Sequence, residues 1–138
     1  MNEENRLPKA ILDKAIKNGN EFGWRQSDVS EVIDTARTLN LVNLGGQVQY
    51  HFPDGTCELY WLSFDPTTRQ QNETWTDFCA RSAIECQEKF QSLILQTNIE
   101  KEALENFDFL KNKKETGIEI SDFLTFILYF DDSETDKH

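Results

Sequence analysis

The sequence predicts a single α+β domain, with a small antiparallel sheet, built on a hairpin over about residues 41–64, packed against several α-helices. Three observations carry this. Residues 45–62, "GGQVQYHFPDGTCELYWL", alternate in character around an Asp-Gly dipeptide, the strongest short-range mark of a hairpin. Residues 27–39 and 74–96 carry apolar side chains three and four apart, the spacing of amphipathic helices. No repeat, low-complexity segment or Pro/Gly-rich linker divides the 138 residues. A chain of that length buries about two-thirds of its unfolded surface and needs neither disulfide nor metal to fold.

Taken in order, residues 7–18 read as a helix, with Leu7, Ile11, Leu12, Ala15 and Ile16 on one side, Pro8 in the first turn and Gly19 as the stop. "GNEFGW" then reads as a loop whose Phe22 and Trp24 plug the core. The second helix, 27–39, opens on Ser27 or Asp28 as a cap and lines up Val29, Val32, Ile33, Ala36 and Leu39. The longest helix, 74–96, begins with a capping box, Thr74 with Asp77, and its stripe includes Phe78, Cys79, Ser82, Cys86 and Phe90. Residues 99–110 read as helical and "KNKKETG" as a solvated turn. "ISDFLTFILYF" is apolar nearly throughout, so it is a buried helix or a central strand. Ser121 or Asp122 as a cap favours the helix. An acidic tail, about 131–138, closes the domain.

With Asp54-Gly55 as the hairpin loop, Phe52 faces Cys57, His51 faces Glu58, Tyr50 faces Leu59, Gln49 faces Tyr60, Val48 faces Trp61 and Gln47 faces Leu62. One face then holds Phe52, Tyr50, Val48, Cys57, Leu59 and Trp61. The other holds Gln47, Gln49, His51, Glu58, Tyr60 and Leu62, mostly polar. A strand follows Gly45-Gly46, so the pair marks a bulge or a close backbone approach; a phosphate loop needs a helix there and more glycines. His51 with Glu58 is the one histidine–carboxylate pairing on offer, and it reads as a cross-strand pair. No nucleophile, base and orienter assemble, no ligand spacing suits zinc, and no cofactor motif occurs. The chain is therefore expected not to be an enzyme.

The net charge is −11. Residues 1–40 hold seven acids and six bases, 41–96 seven and three, 97–138 eleven and five. Such a surface repels phosphates and makes nucleic acid a poor partner, whereas a basic protein is steered toward it. The same charge also serves solubility alone. No apolar run approaches the ~20 residues that span a bilayer. The start, "MNEENRLPKA", has no signal-like apolar stretch, and three cysteines, an odd number, point to reduced thiols in a cytoplasm. Cys79 and Cys86 belong to the helical stripe and Cys57 to the apolar strand face, so all three are expected to be buried.

"LVNLGGQVQYHFPDGTCELYWLSFDP" followed by "ETWTDFCARSAIECQEKF" resembles small bacterial immunity proteins of polymorphic-toxin and contact-dependent growth inhibition systems. The resemblance spans about residues 24–96 and rests on scaffold motifs, so no contact residue carries over from it. It implies a cytoplasmic inhibitor that binds one cognate toxin domain, a basic nuclease being the kind that suits the charge. The alternative is an acidic interaction or regulatory protein with a different partner. For either, the candidate partner-binding residues are Gln49, His51, Glu58 and Tyr60 on the polar sheet face, with Asp131 and Asp132 in a second acidic run.

Overall fold

The computed structural model describes residues 6–132. Its elements are α1 (Lys9–Leu12), β1 (Ile16–Asn18), β2 (Glu21–Trp24), α2 (Gln26–Thr38), β3 (Val42–Phe52), β4 (Gly55–Ser63), α3 (Trp75–Gln96), α4 (Ile99–Asn106), α5 (Asp108–Glu115), a 3₁₀ turn (Ile120–Phe123) and β5 (Leu124–Asp131). The five strands form one sheet in the order β1-β2-β5-β3-β4, every neighbouring pair antiparallel. This is the α+β architecture expected. No helix among the described residues is long and apolar enough to cross a membrane.

The helices gather on one face. Val48, Tyr50, Phe52, Cys57, Leu59, Phe126 and Leu128 form one cluster with Val32 and Ile33 of α2, Cys86 and Phe90 of α3, Ala103 of α4 and Leu110 of α5. Its centre is an aromatic trio: Phe90 meets Phe64 at 5.5 Å and Phe126 at 5.2 Å, both edge-on. That geometry suits the ring quadrupoles and ties the end of β4, α3 and β5 together. All three cysteines are free and buried. The Thr74 side chain accepts the Asp77 amide at 3.1 Å, the cap its spacing foretold.

The segment joining β4 to α3 has no regular structure and is held by Arg81. Its guanidinium donates to both Glu73 oxygens (2.7 and 2.9 Å), to Glu85 (2.6 Å), to the Thr67 hydroxyl (2.6 Å) and to the Thr68 carbonyl (3.0 Å).

Several expectations are corrected. Residues 7–18 are not one helix: α1 lasts four residues and β1 follows. "GNEFGW" is the turn and second strand of a hairpin, with Asn18 opposite Glu21 and Gly19 at φ 62. A Gly-Asn loop with glycine first suits that turn. Phe22 and Trp24 do enter the core, and the Trp24 indole N–H donates to the Ile11 carbonyl at 3.0 Å. Residues 121–130 are not a helix. β5 is a strand between two others, and burial on both faces gives it the continuous apolar run. Ser121 and Asp122 lie in the 3₁₀ turn before it. Residues 99–110 break at Phe107 into α4 and α5, and α5 takes in most of "KNKKETG". α2 is capped by Arg25 without a side-chain bond, not by Ser27 or Asp28.

The hairpin register is also corrected. Phe52 pairs with Gly55, so the loop is Pro53-Asp54, and no residue of 53–55 has positive φ. Proline's fixed φ places it at the first corner and the loop moves back by one. Gln49 therefore faces Glu58, not Tyr60, and His51 faces Thr56, not Glu58. The slip is two residues along β4, so Cys57 and Leu59 keep their face and Glu58 keeps the other. Beyond Leu59 the ladder breaks: Val48 pairs with Leu59, but Gln47 pairs with Ser63. This bulge turns Leu62 into the core, against expectation, and frees Tyr60 and Trp61 from pairing. Gly45-Gly46 behaves as read, with a second irregularity beside Gly45 (φ 102) and a close backbone approach at Gly46.

Candidate functional site on the open sheet face

Strand alternation sends a second set of side chains to the face away from the helices. The register places Asn18 with Glu21, Gln49 with Glu58 and Thr125, Gln47 with Ile127, and Gly45 with Tyr129 on this side. Three strands thus meet around Gln49, which is fully buried by its neighbours.

The Gln49 carboxamide is engaged at both its nitrogen and its oxygen. Its Nε2 donates to Glu21 Oε1 at 3.2 Å and to Glu58 Oε1 at 3.3 Å, and its Oε1 accepts from Asn18 Nδ2 at 3.3 Å. One amide nitrogen therefore stands between two carboxylates. Glu21 also accepts the Tyr129 hydroxyl, which in turn accepts from Gln47 Nε2 at 2.9 Å. Burial first, and then the bond to Glu21, push the Tyr129 pKa up to about 12. The phenol stays protonated and keeps its donor role near neutral pH. Neither Glu21 nor Glu58 makes an ion pair among the described residues; both charges rest on neutral donors. Neutral donors leave the negative field of the two carboxylates uncancelled at this face.

Beside Glu58, the freed segment of β4 carries Tyr60, 76% exposed, edge-on to Trp61 at 5.3 Å. Trp61 is held from behind: it stacks on Phe107 at 6.2 Å and donates its indole N–H to Glu102 at 3.2 Å. Trp61, held by Phe107 and Glu102, underlies the exposed Tyr60 at the outer strand and gives the pair a fixed aromatic base.

Of the residues expected at the site, the structure brings Gln49 and Glu58 together, with Tyr60 adjoining and His51 further along β3. His51 is engaged with the Thr56 hydroxyl at 2.8 Å and does not meet Glu58. Asp131 and Asp132 do not join them. They close β5, six or more residues from Thr125, which is roughly 20 Å along a strand. Asp132 is buried and ion-paired to Arg6 at 3.0 Å, and Asp131 accepts the Asp132 amide. The rest of the acidic tail, 133–138, lies outside the described residues. Glu21, Tyr129, Gln47 and Asn18 complete the network. Glu21 and Asn18 belong to the first hairpin, and its Gly-Asn turn is the sequence signal that marks them. Among the described residues no group of three or more His, Cys, Asp or Glu side chains is arranged to hold a metal.

Compared with known proteins, the chain matches no family model, no curated protein and no solved structure.

Proposed function

We propose that this protein is an immunity protein: it binds a basic cognate toxin domain through the open sheet face and the adjoining β4 edge, and neutralises it in the cytoplasm. The observation that carries the reading is the pair Glu21 and Glu58, held on either side of the Gln49 amide with no cation paired to them among the described residues, beside the exposed Tyr60. Two acids without counter-charges repel each other, and an incoming lysine or arginine relieves that repulsion. Because Glu21 is already held by Gln49 and Tyr129, little of its side-chain entropy remains to be lost on binding. Tyrosine and tryptophan supply the apolar anchor that charge alone does not. The toxin as partner comes from the resemblance of residues 24–96 to immunity proteins. The basic character of the partner comes from the site.

Co-expression with the toxin domain encoded beside this gene tests the reading. Cells are expected to survive when the protein is present and to die when it carries Glu58→Lys with Tyr60→Ala. Equal killing with and without the native protein would overturn the immunity function. Capture of a different basic protein from the same cells, with no protection, would support the interaction protein considered as the alternative.

A further inference from the structure

Among the described residues, three buried side-chain atoms meet no hydrogen-bond partner: Nδ2 and Oδ1 of Asn43 and Oε1 of Gln87. Gln87 is accounted for locally. Its Nε2 donates to the Ser30 hydroxyl at 2.6 Å, and turning the amide over gives its oxygen that hydroxyl as a donor. No such turn helps Asn43, because both ends of its carboxamide are unmet. The residue is 1% exposed, and its main chain is tied to α3 by its N–H, which donates to Ser82 Oγ at 3.1 Å. A buried amide that meets neither donor nor acceptor destabilises the fold, so its position calls for a partner.

Asn43 lines a cavity of about 210 Å³ between the start of β3, the start of α3 and the connection that precedes α3. Phe78 and Pro66 give it apolar walls, Thr68 and Arg69 polar ones. These walls are braced. Arg81 donates to the Thr67 hydroxyl at 2.6 Å and to the Thr68 carbonyl at 3.0 Å. Arg69 Nε donates to the Glu73 carbonyl at 3.0 Å, with the guanidinium over the Trp75 ring. Leu44 forms the lip, 46% exposed and paired with no residue of β4 or β5. At ~30 Å³ per water the space equals about seven waters, the size of one substituted ring rather than of a peptide or a whole nucleotide.

We propose that this cavity binds a small planar molecule presenting a hydrogen-bond donor and an acceptor side by side, a primary carboxamide or a lactam on a single ring. The ligand N–H donates to Asn43 Oδ1 and its carbonyl accepts from Asn43 Nδ2, so one group satisfies both unmet atoms. The ring lies against Phe78 and Pro66, and the Leu44 side chain turns aside to admit it. A carboxylate supplies no donor and leaves Oδ1 unmet, and a hydrocarbon ring leaves both atoms unmet. Water meets the same two atoms but leaves the apolar walls wet, so a ring with this edge is the better match. The cavity shares no residue with the open sheet face, so this inference is independent of the immunity reading.

NMR titration of the ¹⁵N-labelled protein tests it, with benzamide for the carboxamide and uracil for the lactam, against benzoate and toluene. Benzamide, uracil or both are expected to saturate with Kd below about 1 mM and to shift the Asn43 side-chain amide signals. The tighter of the two tells which source of the edge the cavity prefers. Benzoate and toluene should bind at least about tenfold more weakly. Asn43→Leu should remove that preference, with circular dichroism showing the fold intact. If Asn43→Leu does not fold, the comparison of ligands on the native protein decides alone. Tyr60→Ala, on the other face, should change nothing. Neither amide binding below about 1 mM would leave water as the partner of Asn43 and overturn the proposal. Equal binding of toluene, a preference retained in Asn43→Leu, or shifts that bypass Asn43 and Phe78 would each overturn it as well.

Discussion

Arg81 grips Glu73 with two parallel bonds, Nε to Oε2 at 2.7 Å and Nη2 to Oε1 at 2.9 Å. The same guanidinium reaches Thr67 and Thr68. One side chain on α3 thus closes both ends of the connection that follows β4. Arg81→Met should cost about 2 kcal/mol, read as a lower urea midpoint, because several carboxylate and carbonyl acceptors lose their donor together. Arg81→Lys should recover little, since an ammonium cannot reproduce the planar fork. A midpoint unmoved by Arg81→Met would show that the connection holds itself.

The same clamp predicts the acid response. The Arg81 guanidinium holds Glu73 down to about 2, and the Thr67 amide together with Arg81 does the same for Glu85. Folded values below the usual carboxylate range mean that unfolding takes up protons. Their contribution is therefore complete above about pH 4.5 and is lost as pH falls toward 2. The melting temperature should drop across that window in the native protein and drop less in Arg81→Met.

A Cβ at Gly46 would lie 2.1 Å from the Ile127 carbonyl oxygen and 2.6 Å from Phe64 Cζ. The first obstacle is backbone of the neighbouring strand and cannot swing aside. Gly46→Ala should cost about 3 kcal/mol or more, in contrast to exposed Leu44→Ala, which should cost under about 0.5. Thermal melts of the two variants check this.

The thiols should be inert in the native state. Burial pushes Cys86 up to about 12 and Cys79 up to about 11, and raises Cys57. Little thiolate exists at pH 8, and all three sulfurs are covered. A chromogenic disulfide reagent should react with three thiols in urea and with almost none beforehand.

At the open face, Glu58→Lys should weaken toxin binding by about 2 kcal/mol or more, since it sets a cation where the partner brings one. Tyr60→Ala should lose a similar amount, mostly through faster dissociation. Association of the native pair should slow as salt rises. Surface plasmon resonance at two ionic strengths separates these effects.

What could be read in the sequence was what depends on near neighbours. The α3 stripe and its Thr74 cap are local, and both were legible. The two faces of the β3–β4 hairpin were legible even with the pairing slipped, because a shift of two leaves alternation intact. The loop itself was misread because Pro53 and Gly55 both suit a turn, and only packing decides: Phe109 lies 3.0 Å from where a Gly55 side chain would begin. The residues from Leu7 to Ile16 mimic helical spacing, and nothing local reveals that Ile16 pairs with Gly23. Half of the candidate site was invisible for the same reason. Gln49 and Glu58 are nine residues apart, whereas Tyr129 reaches Glu21 across 108.

β5 is the last of the five strands to be synthesised, yet it sits in the middle of the sheet. Before it arrives, the β1–β2 hairpin and the β3–β4 hairpin have no ladder between them, and each offers a bare edge to whatever chain is near. Translation therefore nearly finishes the domain before its sheet can close. Assembly waits on a contact between distant parts of the polypeptide, which makes it slow relative to helix formation. On a polysome, where neighbouring nascent chains carry the same open edges, a chaperone that shields β2 and β3 until Leu124–Asp131 emerges would raise the yield more than one acting on the finished domain.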